Sequence, residues 1–258
     1  MTALIYGLVL AAHEAAPRIQ IAAALIAAAT LLSAFVAIER SAQNPIVPLA
    51  LFRSARRSGA YAIRTLLIGG MLGTFFYLTQ YVQGGLGFSA FEAGFVILPL
   101  SVVQFLMVIY GVPRLMRHVG GTPLLAMGLA AALCGMLGLS RVGPDTQLLT
   151  GLALPIVLLG LGTGAALVPL AAAGVAGVDA RHAGAAAGLL NATHYLGSAL
   201  GTAILVFLVS VTRKSAGVES ALAAKLELAH ALSVAASGSA VFFLLALVIC
   251  AATMRSRR

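Results

Sequence analysis

The side chains best placed to do chemistry in this chain lie within one apolar stretch: Asn191, His194, Tyr195, Ser198 and Thr202. Asn191, His194, Ser198 and Thr202 follow steps of three, four and four, which on a helix puts them near one face, with Tyr195 bordering it. Amide, hydroxyl and imidazole groups donate and accept hydrogen bonds, and His194 is the one of these that titrates near neutral pH. The stripe suits either the wall of a cavity that touches a substrate or hydrogen bonds that tie helices together. Gln104, beside Phe105 in another apolar stretch, is a further cavity candidate because no interface explains it. Arg64 is expected to snorkel to a nearby interface. Tyr77, Gln80, Tyr81 and Gln83 close the same stretch and are expected to form an interfacial aromatic belt.

Other chemistries lack their residues. There is no paired carboxylate, no HExxH and no GxSxG, so the chain is expected not to be an enzyme. Gly160-Leu-Gly162-Thr-Gly164 lacks the strand-turn-helix setting of a dinucleotide loop. Glycines at this spacing let helices approach closely: Gly160 with Gly164, Gly197 with Gly201, and likewise Gly69 with Gly73 and Gly184 with Gly188. Cys134 and Cys250 lie inside apolar stretches as small packing residues, without metal-ligand spacing. The Asn191-Ala-Thr193 sequon falls within an apolar stretch, out of reach of glycosylation. None of the seven acidic residues falls in the middle of an apolar block.

The elements that must carry these residues follow from composition. Hydrophobic residues make up 61% of the 258 and charged residues 9%, against roughly 25% charged in soluble domains. Seven apolar blocks, at about 19–38, 60–82, 93–112, 123–139, 148–170, 187–211 and 237–254, have lengths that suit a bilayer span. Backbone groups in lipid must pair within their own segment, and the blocks do not alternate as barrel strands do, so helices are expected. A shorter block, 1–12, reads as the stump of a helix, and 215–232 as an amphipathic helix lying on the outer surface.

Arg40, Arg53, Arg56, Arg57, Arg114, Arg117, Arg181, Arg255, Arg257 and Arg258 fall in one set of loops, and Arg18, Arg141, Arg213, Lys214 and Lys225 in the other. Ten against five places the first set and both termini in the cytoplasm. The net charge of +9 thus reflects topology, and no basic stripe interleaved with aromatics points to nucleic acid.

Several segments together resemble a known family. Residues 35–40 with 45–53, containing Glu39-Arg40 and Pro45-Ile-Val-Pro48, resemble its passage from an extra helix pair into a C-terminal domain. Tyr81-Val-Gln83, Gly87-Phe-Ser89, Glu92-Ala-Gly94 and Leu98-Pro99 resemble the helix-loop-helix that follows. Gly160 to Gly164 with Pro169-Leu170, then Gly184, Gly188-Leu-Leu-Asn191 and Leu196-Gly197-Ser-Ala-Leu-Gly201, resemble its penultimate region. Over nearly its whole length the chain resembles the second half of a 14-helix drug:proton antiporter of the major facilitator superfamily, EmrB/QacA type.

The resemblance implies an all-α integral membrane fold: the C-terminal six-helix half, residues 59–258, a cytoplasmic linker, 39–58, and a linker helix pair, 1–38, with its first helix shortened. It implies efflux of small hydrophobic or cationic compounds from the inner membrane by alternating access, with the proton gradient as energy source and no cofactor. Cavity contacts are then expected from Gln104, Asn191, His194, Tyr195 and Ser198. Arg114, Arg117 and Gly120 stand in a degenerate copy of the family's cytoplasmic gating loop, where Arg117 replaces an acidic residue and Thr122 a basic one. The six helices expected to carry the proton-coupling carboxylate are absent from this sequence. Partners are therefore the lipid bilayer, a small-molecule substrate, and a separate N-terminal six-helix half or a second copy. The alternative is a truncated, non-transporting subunit or scaffold that needs a partner half.

Overall fold

The computed structural model describes residues 6–7, 10, 18–42, 48–144, 146, 148–212 and 221–254. These form an all-α polytopic membrane bundle in which seven helical spans are long and apolar enough to cross a bilayer. The elements are α1 (Arg18–Ser41), α2 (Ala55–Gln80), α3 (Ala90–Leu106) with its continuation α4 (Val112–Val119), α5 (Gly121–Leu139), α6 (Leu154–Val175), α7 (Ala183–Thr212) and α8 (Ala221–Thr253). π-Helical turns prolong α2 through Tyr81–Gly85, join α3 to α4 through Met107–Gly111, and lead into α6 at Leu148–Ala153. The expected stump at 1–12 lies mostly outside the described residues.

Local chemistry sets the helix ends. Ser54 caps α2, its side chain accepting from the Arg57 amide at 3.5 Å. At α3 the Ser89 hydroxyl accepts from the Glu92 amide at 3.3 Å, and Glu92 Oε2 accepts from the Ser89 amide at 2.9 Å, a reciprocal capping box. Gly120, at a φ of 82° that a side chain would strain, separates α4 from α5.

Helix α2 is the hub: it packs along α7 and α8 and, near its start, against α6. Helix α5 packs on α6 and α8, and α3 packs on α6. Lipid tails are as apolar as leucine, so close van der Waals fit, rather than escape from water, holds such helices together. Glycine supplies that fit. A Cβ built on Gly69 would stand 2.7 Å from the carbonyl oxygen of Gly197 and 3.1 Å from Gly201 Cα. Thr65 meets Gly197, Gly69 meets Gly201, and Gly73 meets Thr202 and Leu205, so α2 and α7 rise in parallel. Helix α8 runs antiparallel to α2, with Gly59 facing Thr253, Gly70 facing Phe243 and Gly84 facing Leu228.

The Gly160–Gly164 run serves two neighbours. Gly162 turns to Gly128 and Ala132 of α5, whereas a Cβ on Gly160 or Gly164 would fall 2.6 Å from Leu100 O or 2.9 Å from Gln104 O of α3. A buried polar tie joins α2 to α8: Ser239 Oγ donates to Gly70 O at 2.9 Å and so accepts from Thr74 Oγ1 at 2.7 Å. The contacts gather the starts of α2, α5 and α7 with the ends of α4, α6 and α8 at one end of the bundle.

Two expectations are corrected. The described part of 215–232 is not a surface-lying helix but the opening turns of α8, with Ala229, Ala231 and Leu232 buried. Its alanines let it sit close against the π turn of α2, and Ser233 Oγ donates to Ser140 O at the end of α5. Tyr77 and Tyr81 are not belt residues: they are 8% and 0% exposed. Tyr81 can be interior because its hydroxyl donates to Gly143 O at 2.9 Å, leaving no unpaired polar atom there.

The packing predicts a contrast between two glycines of one helix. At Gly201 a Cβ would come within 2.5 Å of the Gly69 carbonyl carbon, whereas nothing lies within 4 Å of one at Gly188. Gly201→Ala should destabilise the purified chain by about 1–3 kcal/mol, and Gly188→Ala should leave its stability unchanged. Thermal unfolding in detergent reads both, and equal melting temperatures would show that α2 and α7 do not depend on this crossing.

Candidate functional site

Helix α7 has a closed edge and an open one. Along the closed edge Thr193, Gly197, Gly201 and Leu205 are buried against α2. Thr193 Oγ1 donates back to Leu190 O at 2.8 Å, and Thr65 Oγ1, which donates to Tyr61 O of its own helix at 3.0 Å, stands 3.5 Å from the Thr193 carbonyl. The polar contact between these helices thus lies at Thr193 and not along the polar stripe beside it. On the open edge Asn191 is exposed and Tyr195 is 72% exposed. Gly184 and Gly188, two turns and one turn before Asn191, also face open space. His194 lies between the edges, half-buried, its ring 5.6 Å from that of Tyr195 and nearly perpendicular to it, at 80°. Ser198 and Thr202 continue the stripe, half-buried.

Gln104 is not brought to this stripe. It lies half-buried on the flank of α3 that meets α6, and α3 and α7 share no extended contact. The outward edge of α3 carries exposed Phe91, Phe95, Leu98, Val102, Phe105 and Ile109. The expected gating loop is helical on both sides of Gly120. There Arg114 and Arg117 are exposed and donate within their own helix, Arg114 Nη1 to Tyr110 O at 2.8 Å and Arg117 Nε to Pro113 O at 3.2 Å. A cleft of about 320 Å³ near the opposite end, lined by Cys134, Arg141 and Pro155 among others, holds none of the candidate residues. Among the described residues no three His, Cys, Asp or Glu side chains gather as metal ligands.

One polar centre escaped the sequence reading. Arg57, three residues into α2, donates from Nε to Leu51 O at 3.1 Å and from Nη2 to Ala50 O at 3.4 Å. Its Nη1 donates to Ala176 O at 3.1 Å and Gly177 O at 3.3 Å, just past the end of α6. One turn on, the Tyr61 hydroxyl donates to Gly174 O at 2.8 Å. The guanidinium thereby ties the 3₁₀ turn Leu49–Arg53, α2 and the carbonyl-rich end of α6 together, where a cation also complements the helix dipole. The spacing of Arg57 and Tyr61 marks a common face, but no local signal names a partner 119 residues away.

With this architecture in view, comparison with known proteins is decisive. Residues 3–202 match the family model described as Major Facilitator Superfamily. The chain belongs to the major facilitator superfamily. It is 36% identical over 194 residues to the cephamycin export protein of Amycolatopsis lactamdurans, covering 75% of this chain and 39% of that protein. It is 34% identical over 183 residues to the puromycin resistance protein of Streptomyces alboniger, covering 70% and 36%. To the tetracenomycin C resistance and export protein of Streptomyces glaucescens it is 31% identical over 215 residues, covering 81% and 39%. The chain spans about two fifths of the length of these relatives. Its superfamily is one of membrane transporters and not of enzymes.

In this superfamily member the Arg57 tie predicts a measurable contribution. Arg57→Ala should lower stability by about 1–2 kcal/mol through its lost backbone bonds. Arg57→Lys should recover little, because an ammonium cannot fork to carbonyls of two elements. Detergent melts of the three proteins test this. A lysine variant as stable as the original would mean that charge alone, not the fork, holds these elements.

Proposed function

We propose that this chain is the C-terminal six-helix half of a 14-helix drug:proton antiporter, with α1 belonging to the extra helix pair that precedes it. Residues 59–258 would then form the transporter domain, 39–58 the cytoplasmic linker and 1–38 the helix pair. The observation that carries the reading is the exposed polar edge of α7, which none of the chain's described helices covers, in a superfamily member related to antibiotic exporters. An exporter working by alternating access needs such an edge on one half, facing a midplane cavity completed by the other. Asn191, His194, Tyr195 and Ser198 would line it, with Gln104 contributing from its half-buried position on α3, beside that helix's exposed edge.

Orientation follows from charge. Arg53, Arg56, Arg57, Arg114, Arg117 and Arg181 cluster at the end where α2, α5 and α7 begin, against Arg141 and Lys225 at the other, which supports a cytoplasmic location for the first end. Proton coupling would need an acid from outside the described residues. Among the described residues Glu39, Glu92, Asp179 and Glu227 all lie at or near helix ends. A preference for cationic compounds would need one too. The chain would work in the inner membrane with a separate first half or a second copy.

Drug accumulation in cells expressing this chain alone, beside cells also expressing a six-helix first half, tests the reading. Lowered accumulation only with the partner is expected. Lowered accumulation with the chain alone would favour a self-sufficient dimer, and no lowering in either would favour the non-transporting subunit. In the active assembly, Asn191→Leu should weaken efflux severalfold while leaving membrane insertion intact. Unchanged efflux would remove the α7 stripe from the pathway.

A further inference from the structure

Helix α2 carries a charge that its own bundle leaves unsatisfied. Arg64 is the tenth residue of α2, about 14 Å along the helix from its start at 1.5 Å per residue. Its Nε is buried and has no hydrogen-bond partner, in a side chain that is half-buried overall. Among the described residues no ion pair neutralises it, and the acids there stand at or near helix ends. An unpaired guanidinium within a span is costly, and residues of this kind mark substrate pathways.

Its place in the bundle shows what it could serve. Helices α2 and α7 are parallel and in step, with Thr65 against Thr193 and Gly197, so Arg64 lies level with the Asn191–Tyr195 turn of α7. The groups at this level are a guanidinium, the Asn191 amide and the His194 imidazole, all able to donate, flanked by the exposed Tyr195 ring. Such a set is hostile to a cation and suited to an anion with two acceptor oxygens, which a guanidinium binds through paired N–H donors.

We propose that Arg64, supported by Asn191 and His194 of α7, binds the carboxylate of an amphiphilic compound beside the α2–α7 crossing. This deepens, and rests on, the reading of the chain as half of an exporter. It assigns to this half the acidic end of the substrate, while the apolar remainder lies along Tyr195. A lipid headgroup phosphate would present similar oxygens, and lipid composition separates the two sources.

The test is equilibrium binding to the purified full chain in nanodiscs, using 11-(dansylamino)undecanoate and its neutral primary amide. With no tryptophan in the chain, dansyl emission reports binding without interference from protein fluorescence. In phosphatidylcholine discs the acid should bind about tenfold tighter than the amide. Arg64→Gln should reduce the ratio to near one, and Arg64→Lys, which keeps the charge but not the paired donors, should keep only part of it. The wild-type ratio tests the carboxylate preference even if Arg64→Gln fails to fold, and Arg64→Lys then tests its assignment to Arg64. Equal binding of the two probes would overturn the carboxylate site and leave the exporter reading standing. A preference that survives Arg64→Gln would overturn the assignment to Arg64. Loss of the preference when phosphatidylglycerol is added would assign the site to lipid and overturn the substrate assignment.

Discussion

The bundle depends on how closely α2 can approach its neighbours. Inside a bilayer, moving an apolar side chain from lipid to a helix interface gains little, so contact must come from backbone reaching backbone. Gly69, Gly197 and Gly201 make that possible between α2 and α7, while Gly59, Gly70 and Gly84 make room for the Thr253, Phe243 and Leu228 side chains of α8. Because α2 touches α6, α7 and α8, loosening its glycine faces would release three helices at once. The buried Thr74–Ser239–Gly70 chain adds direction to this packing. Its hydroxyls have no water to turn to, so any shift of α8 along α2 would leave polar atoms unpaired in lipid.

That tight centre leaves two loose margins. Helix α3 is held by α6 along one flank and shows an edge of Phe91, Phe95, Leu98, Val102, Phe105 and Ile109 outward. Helix α7 is held by α2 and shows Gly184, Gly188, Asn191 and Tyr195 outward. A rigid six-helix body with one bulky apolar edge and one small, polar edge suits rigid-body rocking, in which surfaces slide while each half keeps its internal packing. Arg57 and Tyr61 reinforce the body where it would otherwise fray, at the end of α6 and the turn before α2.

The spans were legible in the sequence because a bilayer demands about twenty apolar residues and permits few charges. Their ends were less so. Lys225, Glu227 and His230 break the apolar pattern in the opening turns of α8, yet a helix near the aqueous boundary can hold such residues beside buried Ala229, Ala231 and Leu232. Tyr81 looked interfacial because nothing local shows that Gly143, 62 residues away, offers it a carbonyl. Glycine spacing announces a surface that can pack without saying whether it does: Gly184 and Gly188 repeat the interval of Gly197 and Gly201, but the first pair is open and the second closed. At the candidate site the α7 stripe was visible from periodicity. Arg57 and the level match of Arg64 with α7 were not, since both depend on which helices become neighbours and in which direction they run.

Charge gives these margins their division of labour. Among the described residues the carboxylates Glu39, Glu92, Asp179 and Glu227 lie at or near helix ends, while Arg64 and His194 lie within α2 and α7. A carrier that exchanges protons for substrate needs a group that can be neutral in one state and charged in the other without leaving the low-dielectric interior, and a guanidinium cannot do this because it stays protonated. Arg64 is therefore unsuited to relaying protons and suited to holding a fixed anion. On the half-exporter reading proposed above, this chain would recognise cargo, while a titrating acid that couples transport to a proton gradient would act from another segment. Such separation would let substrate occupancy and proton occupancy be sensed on opposite sides of one cavity, so that rocking of the halves answers to both.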